Sequence, residues 1–240
     1  MEQKRKTRTW CGFLLLLILL AVFLIWNLFA GSVQLSASQI GQILLGGGDD
    51  LTQQRIIMQI RLPRMASALI LGGALSVSGY LLQTFFHNPI AGPFVLGISS
   101  GAKLEVSLVM IFLLSRGVKS SSALLIGAAF VGAMLAMGLI LLISQYVDQM
   151  SLLVVCGVMI GYICSALTDF LVTFADDSNI VNLHNWSLGS FSGSSWDDIA
   201  VIAVVVITVS ACVFAISKPL SAFQLGEAYA KSVGVNVERF

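Results

Sequence analysis

The sequence predicts an all-α fold, a polytopic bundle of transmembrane helices, and three observations carry that expectation. Hydrophobic residues make up 57% of the 240 and charged residues 10%, against about 25% charged in an average soluble domain. Nearly uncharged runs, long enough to cross about 30 Å of hydrocarbon at about 1.5 Å per residue, recur along the chain. Proline- and glycine-bearing polar connections separate them, as expected where helices end. The net charge of +1 gives no basis for nucleic-acid binding, and the basic residues gather at the chain ends rather than along one helix face.

Taken in order, residues 1–10 form a basic arm with Lys4, Arg5, Lys6 and Arg8. The apolar run 11–30 follows and is too long for a signal-peptide core, so it is read as a retained first span. Residues 31–60 are a polar connection with a short helical pattern at 36–45, broken by Gly46, Gly47, Gly48, Asp49 and Asp50. No Gly-Lys-Ser/Thr follows the triple glycine, so it is a turn and not a phosphate loop. Pro63, within Arg61, Leu62, Pro63, Arg64, favours an extended or turning approach to the second span, 65–86.

That span stops at His87, Asn88 and Pro89, with Pro93 four residues later, which predicts a tight turn. The third span, 94–114, is interrupted by Lys103 and Glu105. The fourth, 124–143, carries Ala128, Gly132 and Ala136 at four-residue spacing, which lets helix backbones approach closely. Gly72, Gly73, Gly79, Gly157 and Gly161 are read in the same way. The fifth span, 151–174, carries Asp169, and the sixth is 199–216. Lys218 and Pro219 then lead into residues 218–240, where Glu227 and Lys231 stand four apart and Gly234 can cap a short helix. The whole is read as one transmembrane domain.

Alternating spans put the N-terminal arm, the turn at 87–93 and everything after Lys218 in the cytoplasm. Most basic residues agree, and Asp176, Asp177, Asp197 and Asp198 make an outer loop acidic. Arg61 and Arg64 then lie on the outer side, where two roles stay open. They could anchor a helix end at the head groups, or present guanidinium groups to an acidic partner.

Ionisable groups inside a span are costly and often functional, so Lys103, Glu105 and Asp169 are candidate pathway contacts. They form no continuous series of the kind a proton relay needs. Cys11, Cys156, Cys164 and Cys212 lie in apolar runs without metal spacing and read as small buried hydrophobes. Gly97, Ile98, Ser99, Ser100 and Gly101 fit the G-x-S-x-G hydrolase elbow, with His87 and His184 as imaginable bases. The elbow needs a strand before the serine, whereas a turn and a membrane helix are expected here. No enzyme activity, cofactor or metal is expected of this chain.

Several motifs together resemble one family. RLPR, GGALSVSGYLLQ, HNPIAGP, LGISSGA, NWSLGSFSGSSWDDI and LGEAYAKSVGVNVER occur in this order and look like the permeases of ABC importers for iron-siderophores, haem and cobalamin. The resemblance implies a ten-helix subunit of the inner membrane that pairs with a second permease. Two cytoplasmic ATPases and an extracytoplasmic binding protein would complete the importer, with ferric siderophore as the first expected cargo. It implies that Arg61 and Arg64 receive the binding protein. It also implies that Gln224, Leu225, Gly226, Glu227, Ala228, Tyr229, Ala230, Lys231, Ser232, Val233, Gly234 and Val235 seat on the ATPase, and that Asn88, Pro89 and Pro93 form a cytoplasmic turn. The chain reaches Phe240 inside that coupling segment, so by this resemblance it reads as a fragment or truncated product with six of the ten helices. A non-transporting receptor or assembly subunit is the alternative from another class.

Overall fold

The computed structural model describes residues 2–47, 50–89, 92, 94, 96–113, 121–147 and 149–237. The elements are α1 (Glu2–Phe29), α2 (Ala37–Leu44), α3 (Leu51–Arg55), a π-helical stretch (Ile56–Arg61), α4 (Leu62–Phe85), α5 (Ile98–Leu108) and a second π-helical stretch (Val109–Leu113). They continue with α6 (Ser122–Ser144), α7 (Met150–Val172), α8 (Asp177–Leu188), α9 (Trp196–Ala215), α10 (Ser217–Gln224) and α11 (Glu227–Ser232). No strand occurs among the described residues, so the predicted all-α class holds.

Among the described residues, five helices are long and apolar enough to cross a membrane: Gln3–Phe29, Leu51–Phe85, Ala123–Ser144, Met150–Val172 and Trp196–Ala215. The described part of the expected third span, 94–114, is an 11-residue α-helix followed by a five-residue π stretch, with Gly101, Val106 and Ser107 buried. Leu114, Arg116 and Lys119 lie outside the described residues.

One expectation is corrected. No extended approach precedes α4, because the chain is helical continuously from Leu51 to Phe85. The segment read as an acidic outer loop contains α8, whose Ile180, Leu183 and Trp186 recur at three-residue spacing. Leu183 is buried, and Trp186 packs on the same cluster.

The chain forms two compact units. The first comprises Met1–Gly73 and Phe191–Val209. Here α2 begins at a reciprocal cap in which the Ser36 hydroxyl accepts from the Gln39 N–H and the Gln39 side chain accepts from the Ser36 N–H. Ile40 and Ile43, three apart on one face, pack with Leu35 against Ile57 of the π stretch. Complete burial of Ile57 contributes about 1.5–3 kcal/mol.

The second unit comprises Ala74–Ser190 and Ser210–Phe240. Its centre is α5, held between α6 and α7 by glycine contacts. A Cβ on Gly101 would lie 2.7 Å from the Gly132 carbonyl oxygen and from the Ala136 Cβ. A Cβ on Gly97 would lie 2.7 Å from the Gly157 oxygen and the Gly161 nitrogen. Gly97 also adopts φ +70° as it starts α5, a conformation that disfavours any residue with a Cβ. The small-residue spacing of the fourth span thus marks a real seam, as do Gly157 and Gly161. Gly72, Gly73 and Gly79 do not mark one here, since a Cβ on each meets nothing within 4 Å. Phe86, Leu96, Ala136, Ile140, Leu153, Ile160 and Cys164 form one core cluster, and Val106, Val109, Met110, Ala128 and Leu183 form another.

Candidate functional site

The segment leading into α4 is built from Asp50 onward. The Asp50 carboxylate accepts from the backbone N–H of Thr52 at 2.8 Å and of Gln53 at 3.4 Å, which starts α3 and holds its carboxyl below the usual carboxylate range. The chain then widens into the π stretch, where the Leu62 N–H donates to the Ile57 carbonyl five residues back. Pro63 has no N–H to offer the next carbonyl in that register, Met58. The Trp196 indole supplies it, with Nε1 donating to the Met58 oxygen at 2.7 Å.

The two arginines of this segment have different fates. Arg61 is 5% exposed, and its guanidinium donates to the carbonyls of Leu28 and Phe29 (3.5 Å) at the end of α1 and of Val33 (2.5 Å) beyond it. A cation there complements the negative end of the helix dipole and satisfies carbonyls that lack helical partners. A Cβ on Gly31 would lie 2.7 Å from the Arg61 guanidinium, so this small residue makes room for it. Arg64, three residues on, is exposed. Sequence spacing treats the pair as equivalent, whereas the structure turns one inward and leaves the other at the surface.

A second cluster joins the end of α4 to the segment after α9. At the α4 terminus the Asn88 N–H donates to the Gln83 carbonyl at 3.2 Å and the His87 N–H to the Thr84 carbonyl at 3.3 Å, a Schellman closure. Asn88 closes the end of α4 and Pro89 follows it, while Pro93 lies outside the described residues. The His87 Nε2 is 3.1 Å from the Phe223 carbonyl oxygen, and the Gln224 amide donates to the Thr84 hydroxyl at 2.8 Å. Gln224 thus faces α4. Leu225 and Gly226 turn the chain, and α11 carries the remainder of the predicted segment.

Within α11, Lys231 pairs with Glu227 at 2.7 Å and draws its carboxyl below the ordinary value. The Val235 N–H closes on the Ala230 carbonyl at 3.0 Å, with Gly234 at φ +89°, the glycine cap read from the sequence. Ala230 is fully buried. Glu227, Ala228, Tyr229, Lys231, Ser232, Val233 and Gly234 are exposed, and they leave Tyr229 and Val233 as apolar groups on an otherwise polar face.

The ionisable residues read as pathway contacts lie on two helices. Lys103 and Glu105 are half-buried on α5, and Asp169 is exposed on α7. Glu105 lines a 740 Å³ cleft with Leu104, Leu135, Leu139, Ile160 and other apolar groups of α5, α6 and α7. Asp169 is not among its lining residues. Among the described residues no strand precedes Ser99, and the glycines of the hydrolase-like sequence make the α5 helix contacts. Ser100 is hydrogen-bonded to Ser165 at 3.4 Å, and no hydrogen bond links His87 or His184 to Ser99.

The model of the FecCD transport family matches residues 18–240. The chain is similar to the vitamin B12 import system permease protein BtuC of Klebsiella pneumoniae subsp. pneumoniae, at 36% identity over 97% of this chain and 66% of that protein. It is also similar to the molybdate import system permease protein MolB of Haemophilus influenzae, at 32% identity over 94% of this chain and 66% of that protein. It thus spans about two thirds of the length of these curated relatives. A solved structure described as an inward-facing conformation of a metal-chelate type ABC transporter superposes with a TM-score of 0.76 and 28% identity, over 93% of this chain and 68% of its own. With helical architecture and sequence agreeing over nearly its whole length, the chain belongs to the FecCD transport family.

Proposed function

We propose that this chain is a membrane-spanning permease subunit of an ATP-driven importer of metal chelates, working with a second permease subunit around a shared pathway. The observation that carries the reading is the family match over residues 18–240, laid on five helices, among the described residues, long and apolar enough to span a membrane. The basic arm orients the N-terminus to the cytoplasm of the inner membrane. In that orientation α11 offers its exposed face to a cytoplasmic ATPase. Arg64 offers a guanidinium to carboxylates of an extracytoplasmic binding protein, while Arg61 holds the segment that presents it. ATP hydrolysis belongs to the separate ATPase, since the sequence has no Gly-x-x-x-x-Gly-Lys-Ser/Thr loop. Lys103, Glu105 and Asp169 are proposed pathway contacts, of which Glu105 has the cleft beside it.

Ferric siderophore and vitamin B12 are the leading cargoes, with haem beside them. The motif resemblance favours the siderophore, and a curated relative named for vitamin B12 favours cobalamin. Purification of the tagged protein from native membranes, with its partners identified by mass spectrometry, tests the assembly. Recovery of an ATPase and a solute-binding protein is expected, and that binding protein can then be titrated with ferric siderophores, haem and vitamin B12. Recovery of neither partner from intact membranes would overturn the reading.

A further inference from the structure

Among the described residues, His87 alone combines a side chain with positive φ, at +49°. It occupies the left-handed position of the Schellman closure that ends α4, a place where glycine is the ordinary choice because a Cβ is disfavoured there. Such strain persists where surrounding contacts hold it and is a reason to look for function. The contacts are on the segment after α9: the His87 Nε2 lies 3.1 Å from the Phe223 carbonyl oxygen, and the two rings sit 4.9 Å apart.

One turn back on α4, Thr84 is 2% exposed. Its hydroxyl donates to the Tyr80 carbonyl at 2.8 Å and accepts from the Gln224 amide at 2.8 Å, a continuous chain from α10 into the α4 backbone. Leu220, one turn earlier on α10, is buried. Two polar contacts, made by residues 136 and 140 positions apart, therefore fasten the last turn of α10 to the last turn of α4. α11 follows directly through Leu225 and Gly226, whose N–H groups close on Ala222 and Phe223.

We infer that Thr84 and His87 are positioning residues: with Gln224 and Phe223 they clamp the coupling segment to α4, so that displacement of α11 by a docked ATPase moves that spanning helix. This rests on the proposed seating of α11 on the ATPase. The clamp faces α4 and leaves the outer face of α11 unchanged, so its loss should uncouple the partners without releasing them.

The test uses the complete importer in proteoliposomes with Thr84→Val, Gln224→Leu, the double variant and Thr84→Ser. Valine keeps the shape of threonine and removes its hydroxyl, whereas serine restores the acceptor. Co-purification of the ATPase and its ATP hydrolysis should stay near parental levels in Thr84→Val and Thr84→Ser. Uptake per ATP, with a ferric siderophore, vitamin B12 and molybdate as trial cargoes, should fall about tenfold in each of Thr84→Val and Gln224→Leu. The double variant should fall no further than one single variant, as a shared contact requires, and Thr84→Ser should match the parent. Unchanged uptake per ATP in Thr84→Val, multiplied losses in the double variant, or release of the ATPase by Thr84→Val would each overturn the clamp. Retention of the ATPase after deletion of residues 224–237, or parental failure to import any of the cargoes, would instead overturn the proposed function and the inference resting on it.

Discussion

Replacing Gly97 with alanine tests the central packing claim most directly. Two costs add at this position. An L residue in the left-handed region loses about 1–2 kcal/mol relative to its ordinary conformations. The new Cβ would also lie 2.7 Å from the Gly157 oxygen and the Gly161 nitrogen, and both are backbone atoms of α7 that no rotamer change can move aside. Overpacking of this kind costs about 1–3 kcal/mol, so the total expected destabilisation is about 2–5 kcal/mol. Gly127→Ala on α6 is the matched control, because a Cβ there meets nothing within 4 Å. Removing a helix-interior glycine there should stabilise by up to about 1 kcal/mol. Unfolding of the purified protein by SDS in mixed micelles, followed by tryptophan fluorescence, gives both values on one scale. Equal stabilities for Gly97→Ala and Gly127→Ala, within about 0.5 kcal/mol, would refute the claim that α5 is wedged against α7 by backbone contact.

Two other perturbations separate neighbouring roles. Arg64→Gln should weaken docking of the binding protein and flatten its dependence on ionic strength, because an exposed charge contributes through screened attraction. Arg61→Gln should instead lower the stability of the permease by about 1.5–3 kcal/mol through lost charged hydrogen bonds, with the salt dependence of docking unchanged. A flattened salt dependence in Arg61→Gln would show that its charge does reach the partner. For α11, the Glu227 carboxyl should titrate below the ordinary 4.5 in the micelle-bound protein by NMR and return to it in Lys231→Met. Because its folded value is depressed, the pair stabilises α11 above the unfolded pKa, and that contribution disappears as pH falls through the folded pKa. An unshifted Glu227 would remove the ion pair from the account.

Much of the organisation was legible from residue order because its causes are local. Apolar runs long enough to span a bilayer locate helices wherever length and hydropathy decide, and the α6 and α7 boundaries fall within two residues of the pattern. Gly234 after Lys231 is a cap that acts over a few residues, so its chemistry can be read without knowing what lies opposite. The family motifs are likewise contiguous, and the match over residues 18–240 follows from the same strings that suggested it.

Other features depended on partners distant in sequence. Pro63 signalled a break when read with its neighbours, yet the helix runs through it because the preceding turn is π-helical and Trp196, 138 residues from Met58, supplies the missing donor. Arg61 and Arg64 have the same chemistry and nearly the same position. Only the nearby end of α1 and Gly31 decide that one guanidinium turns inward. The same holds for His87, which reads as a span end and an imaginable base until Phe223 meets it. The sequence by itself determined a helical membrane protein of the FecCD family, because hydropathy, caps and contiguous motifs act within a window of residues. Tertiary structure decided which arginine faces solvent, which glycines close a seam and what holds α4 to α10, because each needs a side chain or backbone group brought in from another helix.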